Sequence, residues 1–319
     1  MKYYLAPLEG VTNLYVRQKM DKYFATLDKY FIPFLDPKLF SLKKKEIREI
    51  DPKNNKLNKK VVPQIISKDS KNTIWLINEL IKLGYDEVNL NFGCPSSTVT
   101  TKHKGAGILD DLELLDNYLS DIFNNTNINI SVKMRLGLKD TSKFYDIINI
   151  LNKYPLYELI IHPRTGKEMY KSNLHLDLLD NLDKYTKFDI IYNGELNSIE
   201  DIKYITNRLP YIKGVMLGRG ILSRPDMLNK EDDIDFKLNR LKNYYYDLSN
   251  SNLKDFEWGS SKFFHKQLWS YLINYFDIDK KLSKKLFKAS ILEEFNEIVE
   301  EIFITRSIKK DELTISNFI

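Results

Sequence analysis

Cys94 is the only cysteine of the chain, and its setting is unusual for a core residue. It is flanked by Gly93 and Pro95 directly after a short β-rich run, so we expect its thiol to lie just past a strand end. A thiol in that position can act as a nucleophile or as a general acid. The alternative is an inert buried cysteine, which is the commoner role of an isolated thiol.

Further polar side chains lie within or directly after the β-rich runs, toward the ends that the strands of a parallel barrel would share. They are Glu9, Gln64, Asn91, Lys133, Arg135, His162, Arg164, Asn193, Glu195 and Arg219. Buried polar groups are costly unless satisfied, and barrel enzymes carry their active sites at these strand ends. Glycines after the last two runs, Gly194 and Gly218, are typical of phosphate sites in this fold. The pattern predicts a phosphate-bearing cofactor across the barrel mouth, although Lys133 alone could be a strand-end lysine and His162 alone a core histidine.

Eight such runs recur at intervals of roughly 30 residues, which is the spacing of βαβ units. They are Tyr3–Ala6, Tyr30–Phe34, Val61–Ile66, Glu87–Asn91, Ile130–Met134, Leu159–His162, Asp189–Asn193 and Gly214–Gly218. Helical spacing of apolar residues predicts helices between them, at Thr73–Leu83, Phe144–Leu151 and Ile199–Ile205. The alternation predicts an α/β fold, a (β/α)₈ TIM barrel. Pro33 conflicts with regular pairing of the second strand.

The pattern changes after Pro225, because no strand-like run follows. From about Ile234 the apolar residues fall at helical spacing, as in Phe236, Leu238, Leu241, Tyr245, Leu248; Phe263, Phe264, Leu268, Leu272; and Leu282, Leu286, Ile291, Phe295, Ile298, Ile302. We therefore expect two domains, a catalytic barrel over residues 1–230 and a small helical domain over residues 234–319. Residues 51–60, rich in Lys, Asp and Asn, are expected to form a surface loop of the barrel.

Charge and composition limit the classes of partner. The chain of 319 residues has a net charge of +5, from 49 Lys and Arg against 44 Asp and Glu. Residues 231–319 carry 14 basic and 16 acidic side chains, which leaves 35 and 28 and a net +7 for residues 1–230. A positive barrel suits a polyanion such as a nucleic acid, although a Lys-rich and Asn-rich composition bias gives the same excess.

The remaining composition indicates a cytoplasmic protein without membrane or metal partners. No apolar run approaches the length of a membrane span, and the N-terminus lacks a signal-peptide core. A single cysteine cannot form an internal disulfide, as expected in a reducing compartment. His103, His175 and His265 have no carboxylate or cysteine neighbour at metal-ligand spacing, so no metal site is expected.

Several motifs, in order and at suitable spacing, resemble the tRNA-dihydrouridine synthases. The most specific is Asn89-Leu90-Asn91-Phe92-Gly93-Cys94-Pro95-Ser96, and the others are Leu5-Ala6-Pro7-Leu8-Glu9-Gly10-Val11-Thr12, Lys104-Gly105-Ala106-Gly107, Val132-Lys133-Met134-Arg135-Leu136-Gly137, Ile161-His162-Pro163-Arg164-Thr165, Asn193-Gly194-Glu195 and Val215-Met216-Leu217-Gly218-Arg219-Gly220. The resemblance covers residues 1–230 and extends more loosely to the helical tail. Leu8 stands where the family usually has methionine, and Pro163 where it has small residues.

The resemblance implies a flavoenzyme that reduces uridines in the tRNA D-loop. NADPH or NADH would reduce FMN, hydride would pass to C6 of the uracil, and Cys94 would protonate C5 as the general acid. FMN-binding residues carried over from the family are Pro7, Leu8, Glu9, Gln64, Lys133, His162, Asn193, Gly194, Glu195, Gly218 and Arg219, and the uracil-binding residues are Asn91 and Tyr170. The helical domain would bind the tRNA.

Two other functions fit parts of the pattern. A flavin barrel dehydrogenase acting on a free pyrimidine would share the barrel and FMN, but it would not need the helical tail. A tRNA-binding protein that has lost catalysis would not need Cys94, Gln64, Lys133 and Arg219 together. Reduction of free uracil or of RNA, and the colour of the purified protein, separate these functions.

Overall fold

The computed structural model describes residues 1–230, 233–305, 307–310, 312 and 314–318. Eight parallel strands pair in sequence order and the last pairs with the first, so the sheet closes into a barrel. The strands are β1 Lys2–Leu5, β2 Lys29–Leu35, β3 Lys60–Ile65, β4 Glu87–Phe92, β5 Asn129–Arg135, β6 Glu158–His162, β7 Asp189–Tyr192 and β8 Gly214–Leu217. Each predicted run forms a strand, and the predicted TIM-barrel fold is confirmed.

Helices surround the barrel and connect most of its strands. They are α1 Leu14–Tyr23, α2 Lys44–Ile50, α3 Ser70–Lys82, α4 Ser97–Thr100, α5 Leu112–Asn125, α6 Phe144–Leu151, α7 Ile199–Arg208 and α8 Arg219–Ser223. The three predicted helices are present, and α3 begins three residues earlier than expected. Its start is set by Asp69, whose carboxylate accepts a hydrogen bond from the backbone N–H of Asn72 at 2.9 Å. Between β6 and β7 there are two 3₁₀ turns, Leu176–Leu178 and Leu182–Lys184.

Pro33 is accommodated by a break in the register between β2 and β3. Ile32 lies opposite Pro63, whereas Leu35 lies opposite Ile65, so three steps along β2 match two steps along β3. The extra residue forms a β-bulge, where a residue without an N–H removes no ladder hydrogen bond. The strand therefore keeps its place in the closed barrel.

Four long helices follow the barrel: α9 Ile234–Asp255, α10 Trp258–Leu272, α11 Lys280–Lys288 and α12 Leu292–Thr305. They join the barrel core through α9, where Tyr244 packs on Phe24 with ring centroids 5.3 Å apart. Among the described residues no helix has the length and apolarity needed to cross a bilayer. The division at residues 230 and 234 stays a prediction, and residues 231–232 beside it lie outside the described part of the chain.

Three apolar residues of the expected helical stripes are exposed rather than buried. Phe236, Phe263 and Ile291 have exposed fractions of 51%, 74% and 56%. Phe263 precedes the buried Phe264, and Ile291 precedes the first residue of α12, so each lies off the packed face. Periodicity identifies a helix more reliably than it identifies the exact edge of the buried stripe.

The chain end returns to the barrel. The carboxylate of Asp201, in the first turn of α7, accepts hydrogen bonds from the backbone N–H groups of Thr314 and Ile315, both at 2.7 Å. The ring of Phe318 lies under the Arg164 guanidinium at 5.4 Å. Residues 314–318, expected within the helical domain, therefore pack against the barrel wall.

Candidate active site

One cavity of about 260 Å³ lies at the carboxyl ends of the barrel strands. We call it the mouth cavity. All of the side chains predicted to bind cofactor or substrate or to act in catalysis line it, namely Pro7, Leu8, Glu9, Gln64, Asn91, Cys94, Lys133, His162, Tyr170, Asn193, Gly194, Glu195, Gly218 and Arg219. Their convergence follows from the parallel barrel, which brings all eight strand ends to one rim. Their individual roles stay predictions.

A chain of buried amides runs up the barrel wall to this cavity. Ser131 donates to the Glu87 carboxylate at 3.2 Å, and Asn89 donates to the Ser131 hydroxyl at 3.0 Å. Gln64 donates to the Asn89 oxygen at 2.7 Å, and its own oxygen accepts from Asn91 at 2.8 Å. The Glu87 carboxylate at the lower end can only accept hydrogen bonds. The positions of the oxygen and nitrogen atoms in every amide above it are therefore determined.

The upper end of this chain holds the loop that carries Cys94. The Asn91 Oδ1 atom accepts hydrogen bonds from the backbone N–H groups of Gly93 at 3.0 Å and Cys94 at 2.9 Å. Gly105 lies behind the loop with φ +56°, and a Cβ atom there would be 2.7 Å from the Cys94 carbonyl oxygen. Only glycine fits that approach. The Cys94 backbone is thus held from both sides at the cavity wall.

The environment of the Cys94 thiol favours its protonated form. Burial raises the pKa of Cys94, and the opposing effects of the Ser96 backbone and of the cations Arg135 and Lys133 are smaller. The residue is nevertheless partly exposed to the cavity. A thiol that remains protonated at neutral pH is suited to donate a proton and poorly suited to be a nucleophile.

Lys133 presents a cationic group whose charge depends on the occupant of the cavity. Burial, followed by the neighbouring Arg135, lowers the pKa of Lys133 to about 7. Within the described part of the chain its ammonium has no hydrogen-bond acceptor. A ligand that brings negative charge or a carbonyl oxygen to this position would restore the charged form.

Tyr170 forms the outer wall of the mouth cavity between two arginines. The Arg219 guanidinium lies 4.3 Å from its ring centroid, and that of Arg135 lies 5.1 Å from it. Arg135 is held by the backbone oxygens of Thr165 at 2.8 Å and Met169 at 2.7 Å. The half-exposed tyrosine is therefore a fixed aromatic surface at the entrance.

Glu195 organises the glycine-containing loop after β7, which the sequence predicts to be part of a phosphate site. It has a left-handed backbone with φ 44°, which is strained for a residue with a side chain. Its carboxylate binds Arg164 at 2.5 Å and Arg219 at 2.6 Å. The carboxylate is thus occupied by cations, and residues 193–195 line the cavity. Beside this loop, burial and four nearby cations lower the pKa of His162 well below its usual range, so its ring is neutral.

Sequence reasoning missed the helical side of the mouth cavity. Gln267 and Tyr271 reach it from α10, one helical turn apart, and Phe34 reaches it from β2. The only local signal of Gln267 and Tyr271 is the i, i+4 spacing of two polar residues on a helix, which is also typical of a solvated face. Across the described ranges, no cluster of His, Cys, Asp or Glu has the arrangement needed to hold a metal ion.

The residues present fit a flavin mononucleotide chemically. The inner wall offers N–H donors from Gln64, Asn91 and Lys133, which match the carbonyl oxygens of a planar ring system. The side near β7 and β8 offers the Arg219 guanidinium for a phosphate. His162 Nδ1, buried between these two regions, has no hydrogen-bond partner among the residues that the structure describes. A polar group of a ligand bound in the mouth cavity would pair this nitrogen.

A larger groove adjoins the mouth cavity and shares Glu195, Asn197, Arg219 and Tyr271 with it. We call it the side groove. It lies between α8, α10 and the chain end, has a volume of about 890 Å³, and is also lined by Arg224, Lys309 and Lys310. Its basic side chains lie next to the predicted catalytic centre, in a position where they could contact phosphates.

The comparisons agree with the resemblance seen in the sequence. The sequence model of the family described as dihydrouridine synthase (Dus) matches residues 4–295. A tRNA-dihydrouridine(16) synthase of Pseudomonas syringae pv. tomato is 30% identical over 148 residues, which are 46% of this chain and 46% of that protein. A tRNA-dihydrouridine synthase B of Pasteurella multocida is 25% identical over 225 residues, covering 70% of this chain and 66% of that protein.

The chain spans about half the length of the first curated relatives that it matches. Among solved structures, a morphinone reductase mutant in complex with tetrahydroNAD superimposes with a TM-score of 0.49 and 8% identity. That superposition covers 72% of this chain and 85% of the other.

Proposed function

This chain belongs to the dihydrouridine synthase family, and from that premise we propose that it reduces uridines of the tRNA D-loop with FMN as cofactor and NADPH or NADH as reductant. The observation that carries the proposal is the position of the Cys94 thiol. It lies on the wall of the same cavity as Lys133, Gln64 and Asn91, and burial raises its pKa. A protonated thiol beside a set of N–H donors is suited to protonate a ring that those donors hold.

FMN would lie across the barrel mouth in contact with the residues assigned above. Pro7, Leu8 and Glu9 would contact the ring through their backbone, and Gln64 and Lys133 through N–H donors. His162 and Asn193–Glu195 would lie along the ribityl chain, and Gly218 and Arg219 at the phosphate. When bound, FMN would supply the hydride for C6 of the uracil.

The substrate uracil would be turned out of the tRNA into the mouth cavity. Asn91 would donate an N–H to its polar edge, and Tyr170 would contact the ring. Cys94 holds the proton that C5 receives. Asn91 would bind both the base and the backbone of the loop that carries Cys94. It would thereby fix the distance between the Cys94 thiol and C5 of the uracil.

The tRNA phosphates would be bound outside the mouth cavity. The side groove supplies Lys309 and Lys310, and the loop after α4 supplies the exposed Lys102 and His103. Lys104 of the same loop is paired with Asp36 at 2.5 Å and is less available. The net +7 of residues 1–230 supports a polyanionic substrate.

The test separates reduction of the flavin from reduction of the RNA in Cys94→Ala. The variant is expected to bind FMN and to be reduced by NADPH like the wild type, because neither step needs the thiol. Turnover of tRNA is expected to fall about 10²–10⁴-fold, the usual contribution of a positioned acid. Because the thiol pKa is raised, wild-type turnover should persist above neutral pH and fall only when the thiol ionises.

Three results would contradict the proposal. Near-wild-type turnover of tRNA by Cys94→Ala would remove the acid role. A folded wild type that is colourless and takes up no FMN would remove the flavin chemistry. Reduction of free uracil at the rate of tRNA would instead support a dehydrogenase of free pyrimidines. Thr98→Ala, a change in the exposed start of α4 close to the thiol loop, serves as the control variant.

A further inference from the structure

The Gln267 side chain ends in a polar atom that the fold leaves unsatisfied. Its Oε1 atom is buried and, among the described residues, has no hydrogen-bond partner. Gln267 lines the mouth cavity together with Cys94 and Asn91. Buried acceptors are nearly always paired in native proteins, so a lone acceptor on a cavity wall indicates a ligand that donates to it.

Two features hold Gln267 in this position. Helix α10 is anchored by Leu268 and Trp269, which are fully buried, so the helix presents Gln267 rigidly. The barrel makes room for it at Gly10, which has φ +78°. A Cβ atom on Gly10 would lie 3.2 Å from the Gln267 Oε1 atom, closer than nearly all such contacts.

The opposite wall of the cavity offers donors instead of acceptors. Asn91 uses one of its two amide hydrogens for Gln64, and its oxygen is occupied by the backbone of Gly93 and Cys94. Gln64 likewise uses one hydrogen for Asn89 and keeps the other. Lys133 adds a further donor to this wall. An occupant bound between these walls meets N–H groups on one side and a carbonyl oxygen on the other.

We propose that Gln267 accepts a hydrogen bond from the ring N–H of an imide, the O=C–NH–C=O group, bound in the mouth cavity. The imide carbonyl oxygens would be bound by the donors of the barrel wall. The inference rests on the proposed function, because uracil and the pyrimidine ring of FMN both contain this group. If the bound imide is uracil, Gln267 favours it over cytosine, whose N3 atom carries no hydrogen.

The experiment removes the donor from the ligand and the acceptor from the protein in turn. The affinities of the apoprotein for FMN and for 3-methyl-FMN are compared by titration. The kcat/KM values are compared for tRNA with uridine and for tRNA with 3-methyluridine at the positions that the enzyme reduces. Both comparisons are made for the wild type, for Gln267→Met, which removes the acceptor, and for Gln267→Glu, which keeps one. Gln18→Met is the matched control, because Gln18 lies on α1 and donates to the Asn54 carbonyl at 2.7 Å.

In the wild type, N-methylation is expected to weaken one of the two ligands about tenfold, the value of one neutral hydrogen bond. The loss should persist in Gln267→Glu and Gln18→Met and largely disappear in Gln267→Met. An effect confined to FMN identifies the flavin as the imide, and an effect confined to tRNA identifies the uracil.

Equal sensitivity to N-methylation in all four proteins would overturn the inference, as would an insensitive wild type. Either result leaves the proposed function standing, provided that the wild type still binds FMN and reduces tRNA. Failure of both FMN binding and tRNA reduction in the wild type would instead remove the proposed function and, with it, the imide ligand.

Discussion

Replacement of His265 by phenylalanine is expected to reduce the stability that this protein loses at acidic pH. His265 is completely buried in α10, and neither of its ring nitrogens has a hydrogen-bond partner among the described residues. The rings of Trp258 and Tyr245 surround it, with centroids 5.5 Å and 6.3 Å away. The site therefore accepts an aromatic ring, but among the described residues it offers a charged ring no hydrogen-bond partner.

The magnitude follows from the pKa of the histidine in the two states. Burial lowers the pKa of His265 in the folded protein to about 4, whereas an unfolded histidine has a pKa of about 6.5. Between these values the unfolded chain binds a proton that the folded chain does not, so the free energy of unfolding falls as the pH falls. The difference amounts to about 3 kcal/mol by pH 4, a substantial part of the stability of an ordinary domain.

The assay is urea unfolding of wild type and His265→Phe at several pH values from 7.5 to 4.5. The variant should be at least as stable as the wild type at pH 7.5, because it removes two unpaired nitrogens, and its advantage should grow as the pH falls below 6.5. His103→Gln, a change at an exposed histidine, is the control and should follow the wild type. A constant difference between wild type and His265→Phe over this range would refute the reasoning.

Three further predictions follow from the mouth cavity and its supporting loops. Binding of FMN near pH 7.5 should be accompanied by proton uptake, because the ligand restores the charge of Lys133, whose pKa is about 7. Calorimetry in two buffers of different ionisation enthalpy measures the number of protons taken up. Equal proton uptake by Lys133→Met would contradict the prediction. Arg219→Ala should weaken FMN binding by about 1.5–3 kcal/mol, the value of a charge-assisted hydrogen bond, and an unchanged Kd in a fluorescence titration would remove its phosphate role. Gly220→Ala should destabilise the barrel by about 1–3 kcal/mol in urea unfolding, because the added Cβ would collide with the Leu196 carbonyl oxygen; wild-type stability would show that the α8 backbone shifts freely.

The order of chemistry-bearing residues along the chain was readable from the sequence because a parallel barrel is built from repeated local units. Each β-rich run has its own apolar pattern, and each strand end is a local position. Closure of the barrel then places Gln64, Asn91, Lys133 and Arg219 on one rim, although they are far apart in sequence. The site residues predicted at strand ends therefore line one cavity.

Contacts between distant elements were not readable in the same way. Gln267 and Tyr271 enter the mouth cavity only because α10 packs beside α8, and no local pattern distinguishes them from a solvated helix face. Glu195 lines the mouth cavity as predicted, but its position in the sequence does not show that its carboxylate binds Arg164 and Arg219. The orientation of this carboxylate depends on cations that lie 31 and 24 positions away in the chain.

The sequence by itself determined the barrel, the strand-end position of Cys94 and the set of polar groups that the strand ends bring to the mouth. The tertiary structure alone decided the protonation of those groups and their orientation. Burial sets the pKa of Cys94 and of Lys133. The direction of the buried amides is set at one end by the acceptor Glu87 and at the other by the backbone donors at Gly93 and Cys94. Desolvation and hydrogen-bond polarity depend on everything that surrounds a group in space, and most of those surroundings come from other parts of the chain.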